Sequence, residues 1–493
     1  MEDRRKNYRA WDPQRYAHDP VSPRDALPDD DLVFFLLDLI PQLDLTPFHQ
    51  YYAREMRGQP PFDVTMMLTL LVYGYCVGIR SSRRIAAACE RNLAFRAIVG
   101  DDPPDFRTLS DFRKIHLESF RSLFVEVLRV AGEMGMVTLG NISTDGTKMK
   151  ANASRHKAMS YGYMNKKIEQ LKAEIDQLLK EAEQIDAEQD AALGSRRGDE
   201  LPDELKRREE RLAKIEEAKA RLEAEARARA EEEQRRRDEE QAQREAEGRP
   251  RRGKQPAPIN PLPDDKAQTN FTEPTARIMK QSNKGFDYSY NAQAVVDSAE
   301  QIILAAETTD QANDKQQAVP MAKAALENLE AAGIELPKSA DGSRAAIPNT
   351  ADTGYFSEKA VGELEAMGID PYIAIGRERD NKLPAVAAAA ASSAAAAPSA
   401  VTAPSAKEDA ERKESPKEKM RAKLQSATGK ALYAARKHIV EPVFGQTKSG
   451  RGIREFLLRG LEKVRGEWQL ICLTHNLLKI WVKKSDASGY SGG

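Results

Sequence analysis

The first 135 residues place apolar and polar side chains at the spacing of short helices. Residues 30–40 and 61–78 are two apolar helical segments, and prolines open the second of them while a glycine ends it. Residues 81–90 begin with a serine suited to an N-cap, and residues 108–132 continue the helical pattern. This pattern predicts an all-helical N-terminal domain over residues 1–135. Its basic residues suit DNA binding, although an ordinary helical bundle with a basic surface explains them equally well.

Residues 161–248 repeat apolar side chains at alternating spacings of three and four. The first run consists of Met164, Ile168, Leu171, Ile175, Leu178, Ala182 and Ile185. After a break at 194–202, the second run consists of Leu205, Leu212, Ile215, Leu222 and Ala226. Such a seam predicts an inserted antiparallel coiled-coil hairpin. Dimerisation, an arm along DNA and a solvated spacer are three open roles for it.

Strand-like runs lie on both sides of this insertion. They are residues 141–144, 290–296, 301–305, a weak run just before Asp352, and 371–375. Helical runs at 315–332 and 357–367 separate the later strands. The alternation predicts an α/β fold with a mixed sheet of about five strands and flanking helices.

Changes in composition suggest boundaries along the chain. The predicted segments are the helical domain at 1–135, the start of the α/β core at 136–160, the hairpin and its return linker at 161–268, the continued core at 269–383, an alanine-rich low-complexity linker at 384–414, the C-terminal part of the core with basic helices at 415–484, and a tail at 485–493.

Charge and cysteine content narrow the functional classes. The net charge is −1, yet residues 415–484 hold 16 Lys and Arg against 5 Asp and Glu. That local excess suits a partner rich in phosphate. Cys76, Cys89 and Cys472 form no zinc or disulfide spacing, which fits a reducing compartment. No apolar run is long enough to cross a bilayer, so we expect a cytoplasmic protein without a membrane partner.

Three acidic residues stand at apolar runs that are far apart in the chain. Asp145 and Asp352 each follow a predicted strand, and ligands of α/β sheets collect outside strand ends. Glu441 precedes Pro442, a residue suited to the first helical position, and Lys448 lies about two helical turns further on. Carboxylate oxygens are the ligands that Mg²⁺ prefers, and two such ions can hold both reacting oxygens of a phosphoryl transfer. Turn residues and a surface ion pair are the alternative explanation.

Six longer stretches carry a likeness to a known family. They are Ser-Ser-Arg-Arg-Ile at 81–85, Pro-Asp-Phe-Arg-Thr-Leu-Ser-Asp-Phe-Arg at 104–113, Thr-Asp-Gly-Thr-Lys-Met-Lys-Ala-Asn-Ala at 144–153, Tyr-Asn-Ala-Gln at 290–293, Ala-Asp-Thr-Gly-Tyr-Phe at 351–356, and Arg-Lys-His-Ile-Val-Glu-Pro-Val-Phe-Gly-Gln at 436–446. In these stretches the chain resembles bacterial insertion-sequence transposases of the DDE class. The resemblance implies an RNase-H-like catalytic core.

The resemblance also implies a role for each matching acid. Asp145, Asp352 and Glu441 would be the catalytic residues that bind two Mg²⁺ ions, with Mn²⁺ as a substitute. Water would attack the phosphodiester at the element end, and the freed 3′-hydroxyl would then attack the target DNA. The implied partner is double-stranded DNA, both as terminal inverted repeats and as target, bound by a homodimer.

Basic residues near Glu441 resemble a Tyr-Arg-Glu-Lys set of related transposases. The corresponding residues are Tyr433, Arg436, Glu441 and Lys448, and Arg451 and Arg454 would also contact phosphates. One extra residue separates Arg436 from Glu441 relative to the family, so Lys437 is an alternative to Arg436. Two other functions stay open: a metal-dependent DNA endonuclease on the same core, and a non-catalytic DNA-binding protein derived from a transposase.

Overall fold

The computed structural model describes residues 9–11, 22–53, 59–193, 203–246, 248, 257–281, 284–376 and 415–487. The predicted linker at 384–414 lies outside the described residues. The chain divides into two compact units, Met1–Ala151 with Ile278–Gly493, and Asn152–Arg277. Within the described ranges no single helix is long and apolar enough to span a membrane, although the bent pair Leu32–Gln42 and Thr46–Tyr52 passes the same length and composition test.

The first unit begins with a series of short helices. They are α1 (Leu32–Leu39), α2 (Thr46–Tyr52), α3 (Val64–Cys76), α4 (Ser82–Arg91), α5 (Leu93–Val99), α6 (Phe106–Ile115) and α7 (Ser119–Glu133). Asp63 and Asp105 each cap a helix by accepting backbone N–H bonds in its first turn. The segment predicted as one helix over 108–132 is two, α6 and α7. The sequence pattern did not reveal α2 and α5, because seven residues are too few to establish a period.

A mixed β-sheet forms the centre of the first unit. The strands of the described chain are β1 (Ile142–Lys150), β2 (Ala158–Ser160), β3 (Gln268–Asn270), β4 (Arg277–Lys280), β5 (Phe286–Asp297), β6 (Ile303–Thr309), β7 (Ile347–Ala351) and β8 (Ile369–Ile373). The main sheet has six strands: β1 is antiparallel to β5 and parallel to β7, β6 pairs antiparallel with β5, β8 pairs parallel with β7, and the short β4 also pairs with β5. The prediction of a mixed sheet of about five strands is therefore confirmed.

The second unit consists of two long helices and the small β2–β3 pair. The helices are α8 (Tyr161–Leu193) and α9 (Asp203–Ala246). Salt bridges join Glu174 to Arg208 and Lys172 to Glu216, while the Tyr161 hydroxyl donates to Glu223. This order shows that the two helices run antiparallel.

Part of the predicted heptad seam is buried in the second unit. The buried seam residues are Met164, Ile168, Leu171, Ile175, Ile215, Leu222 and Ala226. The side chains of Ala182, Ile185 and Leu205 lie outside the described residues. Whether the two helices supercoil as a coiled coil stays a prediction.

Five further helices flank the main sheet. They are α10 (Ala318–Ala331), α11 (Glu358–Ala366), α12 (Pro416–Gln425), α13 (Ala427–Gly445) and α14 (Leu461–Ala487). α13 packs against β1, β5, β7 and β8, whereas α14 packs against β6, α3 and α7. The indole N–H of the buried Trp468 on α14 donates to the carbonyl of Gln293 on β5 at 2.9 Å. The N-terminal helices and the sheet therefore share one core.

Helix α13 continues through a proline, which the sequence did not predict. Pro442 lies inside the helix rather than at its start, and one π-helical turn follows at Gln446–Gly450. Proline lacks the N–H that would bond to the carbonyl four residues earlier, here that of His438. The side-chain amide of Gln301 donates to this carbonyl at 2.9 Å instead. A tertiary hydrogen bond thus satisfies the acceptor that the proline leaves open.

Candidate active site

Asp145 and Asp352 lie at corresponding points of two paired parallel strands. In the register of β1 and β7, Thr144 is opposite Ala351, and the two aspartates are the next residue of each strand. β7 ends at Ala351, whereas β1 continues beside β5 as far as Lys150. Asp352 thus follows the end of its strand as predicted, whereas Asp145 lies inside β1, so the prediction that it follows a strand is wrong. The two carboxylates stand where the parallel pairing of β1 and β7 ends, the usual location of ligand sites in such sheets.

Asp145 is a largely buried carboxylate with few partners. Its Oδ1 accepts the backbone N–H of Gly146 at 2.8 Å, and its Oδ2 lies 3.0 Å from Nη1 of Arg436. Burial raises the pKa of Asp145 to about 6, although Arg436 opposes this shift; the nearby carboxylates of Asp352 and Asp314 add to it. A further cation beside Asp145 would favour its charged form.

Asp352 caps the turn that follows β7. Its Oδ1 accepts the backbone N–H of Gly354 at 2.7 Å in the short 3-10 turn Thr353–Tyr355. Tyr355 is fully buried, and its hydroxyl donates to Oε1 of Gln293 on β5. The position of Asp352 is thus set by a turn whose last residue is anchored in the sheet.

Helix α13 brings Arg436 and Glu441 to this edge. Nη1 of Arg436 contacts Asp145 as described, and its Nη2 lies 3.6 Å from Oε1 of Glu441, whose side chain is 51% exposed. The Arg436 guanidinium stands 5.9 Å from the ring centre of Tyr433. Lys437 is exposed. Of the two alternative basic residues, the structure therefore places Arg436, not Lys437, between the carboxylates.

Lys448 lies in the π-helical turn and points its ammonium at β1. Nζ donates to Oγ1 of Thr147 at 2.6 Å and to the carbonyl of Lys148 at 2.8 Å. Burial lowers the pKa of Lys448 to about 8, and the positive charges of Arg454 and Lys148 add to this effect. The ammonium of Lys448 is thus held beside Thr147, two residues after Asp145 on β1. It loses its proton more readily than the ammonium of an exposed lysine.

Arg451 and Arg454 have different surroundings. The Arg451 guanidinium donates to the carbonyl of Ile471 and to the hydroxyls of Thr474 and Thr447, so it is turned into the protein. Arg454 is exposed, and its Nε donates to the carbonyl of Lys448. Of the two, Arg454 is the more accessible to a ligand.

Asp314 is an acidic residue near the site that the sequence analysis missed. Its Oδ1 lies 3.5 Å from Nζ of Lys148, and its charge acts on Asp145. Asp314 follows β6 by five residues and precedes α10. The signal that singled out Asp145 and Asp352 was an acid directly after a predicted strand, and Asp314 lies too far beyond its strand for that signal to find it.

The donor types at this edge suit a hard divalent cation. No three Asp, Glu, His or Cys side chains of the described chain stand at the spacing of a metal site. Asp145, Asp352 and Glu441 offer carboxylate oxygens, the ligands that Mg²⁺ prefers. A Cβ at Gly354 would lie 2.9 Å from Oδ1 of Asp352 and 3.5 Å from Oδ2 of Asp314, so the glycine leaves an open cradle between two carboxylates. The donor set and the cradle fit such an ion.

Two family models match the chain. A model described as Transposase domain (DUF772) matches residues 21–115, the region of helices α1 to α6. A model described as Transposase DDE domain matches residues 403–481, which contain Arg436, Glu441 and Lys448. Asp145 and Asp352 lie between the two matched ranges. No curated protein and no solved structure matches the chain.

Both matches are to models of transposases. The first lies near the N-terminus, and the second, of the DDE type, lies near the C-terminus. They confirm the resemblance to insertion-sequence transposases of the DDE class that was inferred from the sequence motifs.

Proposed function

We propose that this protein binds the terminal inverted repeats of its insertion sequence, cleaves DNA there with two divalent metal ions, and joins the freed 3′ end to target DNA. The observation that carries the proposal is the β1–β7 register, which makes Asp145 and Asp352 neighbours, together with the reach of Arg436 from Asp145 to Glu441. Three antiparallel strands continued by two parallel ones support an RNase-H-like core.

Each residue then has a task that follows from its position. Asp145, Asp352 and Glu441 would hold the metal ions, which when bound activate water and stabilise charge on the phosphodiester. Arg436 keeps Asp145 and Glu441 oriented toward each other through its two terminal nitrogens. Lys448 presents an ammonium near Thr147, where it would contact a phosphate of the bound strand.

Partner and assembly are parts of the same proposal. The basic residues of α12 to α14 would follow the DNA backbone, since phosphate contacts supply most of the affinity for DNA. Two DNA ends must be brought together for joining, so we propose that a homodimer acts. Mass measurement of the protein–DNA complex would test the dimer.

The direct test uses a labelled duplex that carries the terminal repeats of the element. We expect cleavage at the repeat boundary in Mg²⁺, and a joined product when target DNA is added. Asp352→Asn should lower the cleavage rate more than about 100-fold, because loss of a metal ligand costs more than loss of a residue that only supports one. Binding of the repeats should persist in this variant.

Asp341→Asn is the matched control, because Asp341 lies in an exposed turn and carries the same charge. Its cleavage rate should equal that of the wild type. Full cleavage by Asp352→Asn would overturn the assignment of Asp352. Cleavage without any joined product would instead make the protein an endonuclease, and specific binding without cleavage in Mg²⁺ or Mn²⁺ would make it a DNA-binding protein only.

A further inference from the structure

Asp314 is the centre of a buried polar network that borders the active site. Its Oδ1 accepts hydrogen bonds from Nδ2 of Asn291 at 2.6 Å and from Nε2 of Gln293 at 2.7 Å, and it lies 3.5 Å from Nζ of Lys148. Asn291 and Gln293 are fully buried on β5. Asn291 pairs in the sheet with Lys148 of β1, and Gln293 pairs with Gly146, the residue directly after Asp145.

Gln293 extends this network to the residues that follow Asp145 and Asp352. Its Oε1 accepts from the hydroxyl of Tyr355, in the turn that Asp352 caps. Its Nε2 would lie 2.1 Å from a Cβ at residue 146, so the amide fits only because Gly146 follows Asp145. One side chain thus links Asp314 to the residue after Asp145 and to the turn after Asp352.

Two observations point from this network toward a bound cation. The first is the cradle at Gly354, which Oδ2 of Asp314 lines together with Oδ1 of Asp352. The second is Oδ1 of Asn291, a buried acceptor without a hydrogen-bond donor among the described residues, which lies 2.9 Å from the place of a Cβ at Gly146. Buried acceptors of this kind are normally satisfied, so a water or ion near Asp145 is expected to supply the missing partner.

Lys148 is the basic partner of the Asp314 carboxylate. Its ammonium is partly buried and lies within electrostatic reach of Asp314, Asp145 and Asp352. Nζ of Lys148 has no hydrogen-bond partner among the described residues, and the ion pair with Asp314 at 3.5 Å is the contact that attracts it to this side. Without the Asp314 charge, Lys148 would be attracted to Asp145 and Asp352 and would compete there with a metal ion.

We propose that Asp314 is a positioning residue of the active site, which fixes the Asp352 turn through Gln293 and keeps Lys148 away from the two metal-binding aspartates. This inference rests on the proposed function, since it assumes that Asp145 and Asp352 bind metal. It assigns to Asp314 no direct contact with DNA.

The test measures Mn²⁺ binding to the full-length protein without DNA, by electron paramagnetic resonance of the free ion. Asp314→Asn keeps the size of the side chain and removes its charge. We expect it to weaken Mn²⁺ binding about 10–100-fold, the usual cost of losing a residue that supports a metal ligand. Adding Lys148→Met to this variant should restore much of the affinity, because the competing ammonium is then gone. Asp341→Asn should bind Mn²⁺ as the wild type does.

A second variant addresses the link to the turn. Tyr355→Phe removes only the hydroxyl that donates to Gln293, and it should weaken Mn²⁺ binding in the same direction as Asp314→Asn but less. Wild-type Mn²⁺ binding by both Asp314→Asn and Tyr355→Phe would overturn the inference. Weak binding by Asp314→Asn that Lys148→Met fails to restore, together with wild-type binding by Tyr355→Phe, would also overturn it, because Asp314 would then be a ligand or a residue needed only for folding.

Failure of the proposed function has a separate signature in the same assay. If Asp352→Asn binds Mn²⁺ as tightly as the wild type, the assumed metal site itself is wrong, and the role of Asp314 falls with it. If Asp352→Asn loses Mn²⁺ binding while Asp314→Asn retains it, only the inference about Asp314 is wrong.

Discussion

Two buried carboxylates in the same unit, Glu467 on α14 and Asp145 on β1, differ in how fully the protein satisfies them. Glu467 is 1% exposed. Its oxygens accept the backbone N–H groups of Leu457 at 2.9 Å and Leu458 at 2.9 Å, and Nη1 of Arg80 lies 3.1 Å away. Every donor in this set comes from the protein, and the contacts join α14 to the N-terminal helices.

Asp145 has a sparser set of partners. It accepts one backbone N–H, from Gly146, and contacts one nitrogen of Arg436, which also reaches toward Glu441. A second carboxylate, Asp352, stands at the matching position of the neighbouring strand and repels its charge. The protein therefore largely buries Asp145 but gives it fewer hydrogen-bond donors than Glu467.

The difference separates a structural carboxylate from one available to a ligand. A buried charge is stable in the fold only when hydrogen bonds and a counter-charge replace its hydration. Glu467 has both, so its contribution is to hold helices together. Asp145 has one backbone hydrogen bond and a counter-charge, Arg436, that is shared with Glu441, and it lies beside other acids. A further cation would stabilise its charge, and such sites are where perturbed acids and function coincide.

The largest expected effect is the contrast between Glu467→Gln and Asp145→Asn. Removing the Glu467 charge leaves Arg80 buried without its partner, so the free energy of unfolding should fall by about 3–5 kcal/mol. Asn at 145 still accepts the Gly146 N–H and relieves charge burial, so the free energy of unfolding should change by less than about 1 kcal/mol. Chemical denaturation measures both. Glu462→Gln, at an exposed position of α14, is the control and should cost under about 1 kcal/mol. If Glu467→Gln and Asp145→Asn lowered the free energy of unfolding equally, the distinction between a structural carboxylate and one available to a ligand would be wrong.

The second effect concerns pH and Lys448. Because burial lowers the pKa of Lys448 to about 8, its ammonium is charged below that pH, and the phosphate contact proposed for it would be lost as the pH rises through 8. DNA affinity should therefore fall up to about tenfold between pH 7 and pH 9, since one pH unit beyond the pKa corresponds to about 1.4 kcal/mol. Fluorescence anisotropy with labelled repeats would measure the fall. Lys448→Gln should bind more weakly and show a flatter profile; a profile as steep as that of the wild type would contradict the role of Lys448.

The smallest effect distinguishes the satisfied Arg451 from the exposed Arg454. Arg454→Ala should reduce the slope of log affinity against log salt by about 1, the change expected for one lost phosphate contact. Arg451→Ala should leave that slope unchanged and lower thermal stability, because its guanidinium bonds to Ile471, Thr474 and Thr447. A reduced salt slope in Arg451→Ala would show that this guanidinium turns outward on DNA.

Local patterns account for much of what the sequence predicted. Each of the five predicted strands of the main sheet is present, because alternation and strand-forming residues act over a few positions. Asp145 and Asp352 were recognised for the same reason, since each follows such a run. The short helices α2 and α5 escaped notice because seven residues do not establish a helical period.

Other features depended on contacts between distant segments. The choice between Arg436 and Lys437 was open, because neighbouring helical positions differ only in the direction they face. The continuation of α13 through Pro442 required Gln301, a residue 137 positions from His438, to satisfy the freed carbonyl. The inward turn of Arg451 required acceptors on α14.

The sequence by itself therefore determined the resemblance to DDE transposases, the strands, and the choice of Asp145 and Asp352, because these depend on local periodicity and motif. Only the tertiary structure decided which of those groups meet. The β1–β7 register placed Asp145 beside Asp352, and the packing of α13 brought Arg436 to both Asp145 and Glu441. Sheet register and helix packing are set by burial summed over the whole core, and no short stretch of sequence contains that sum.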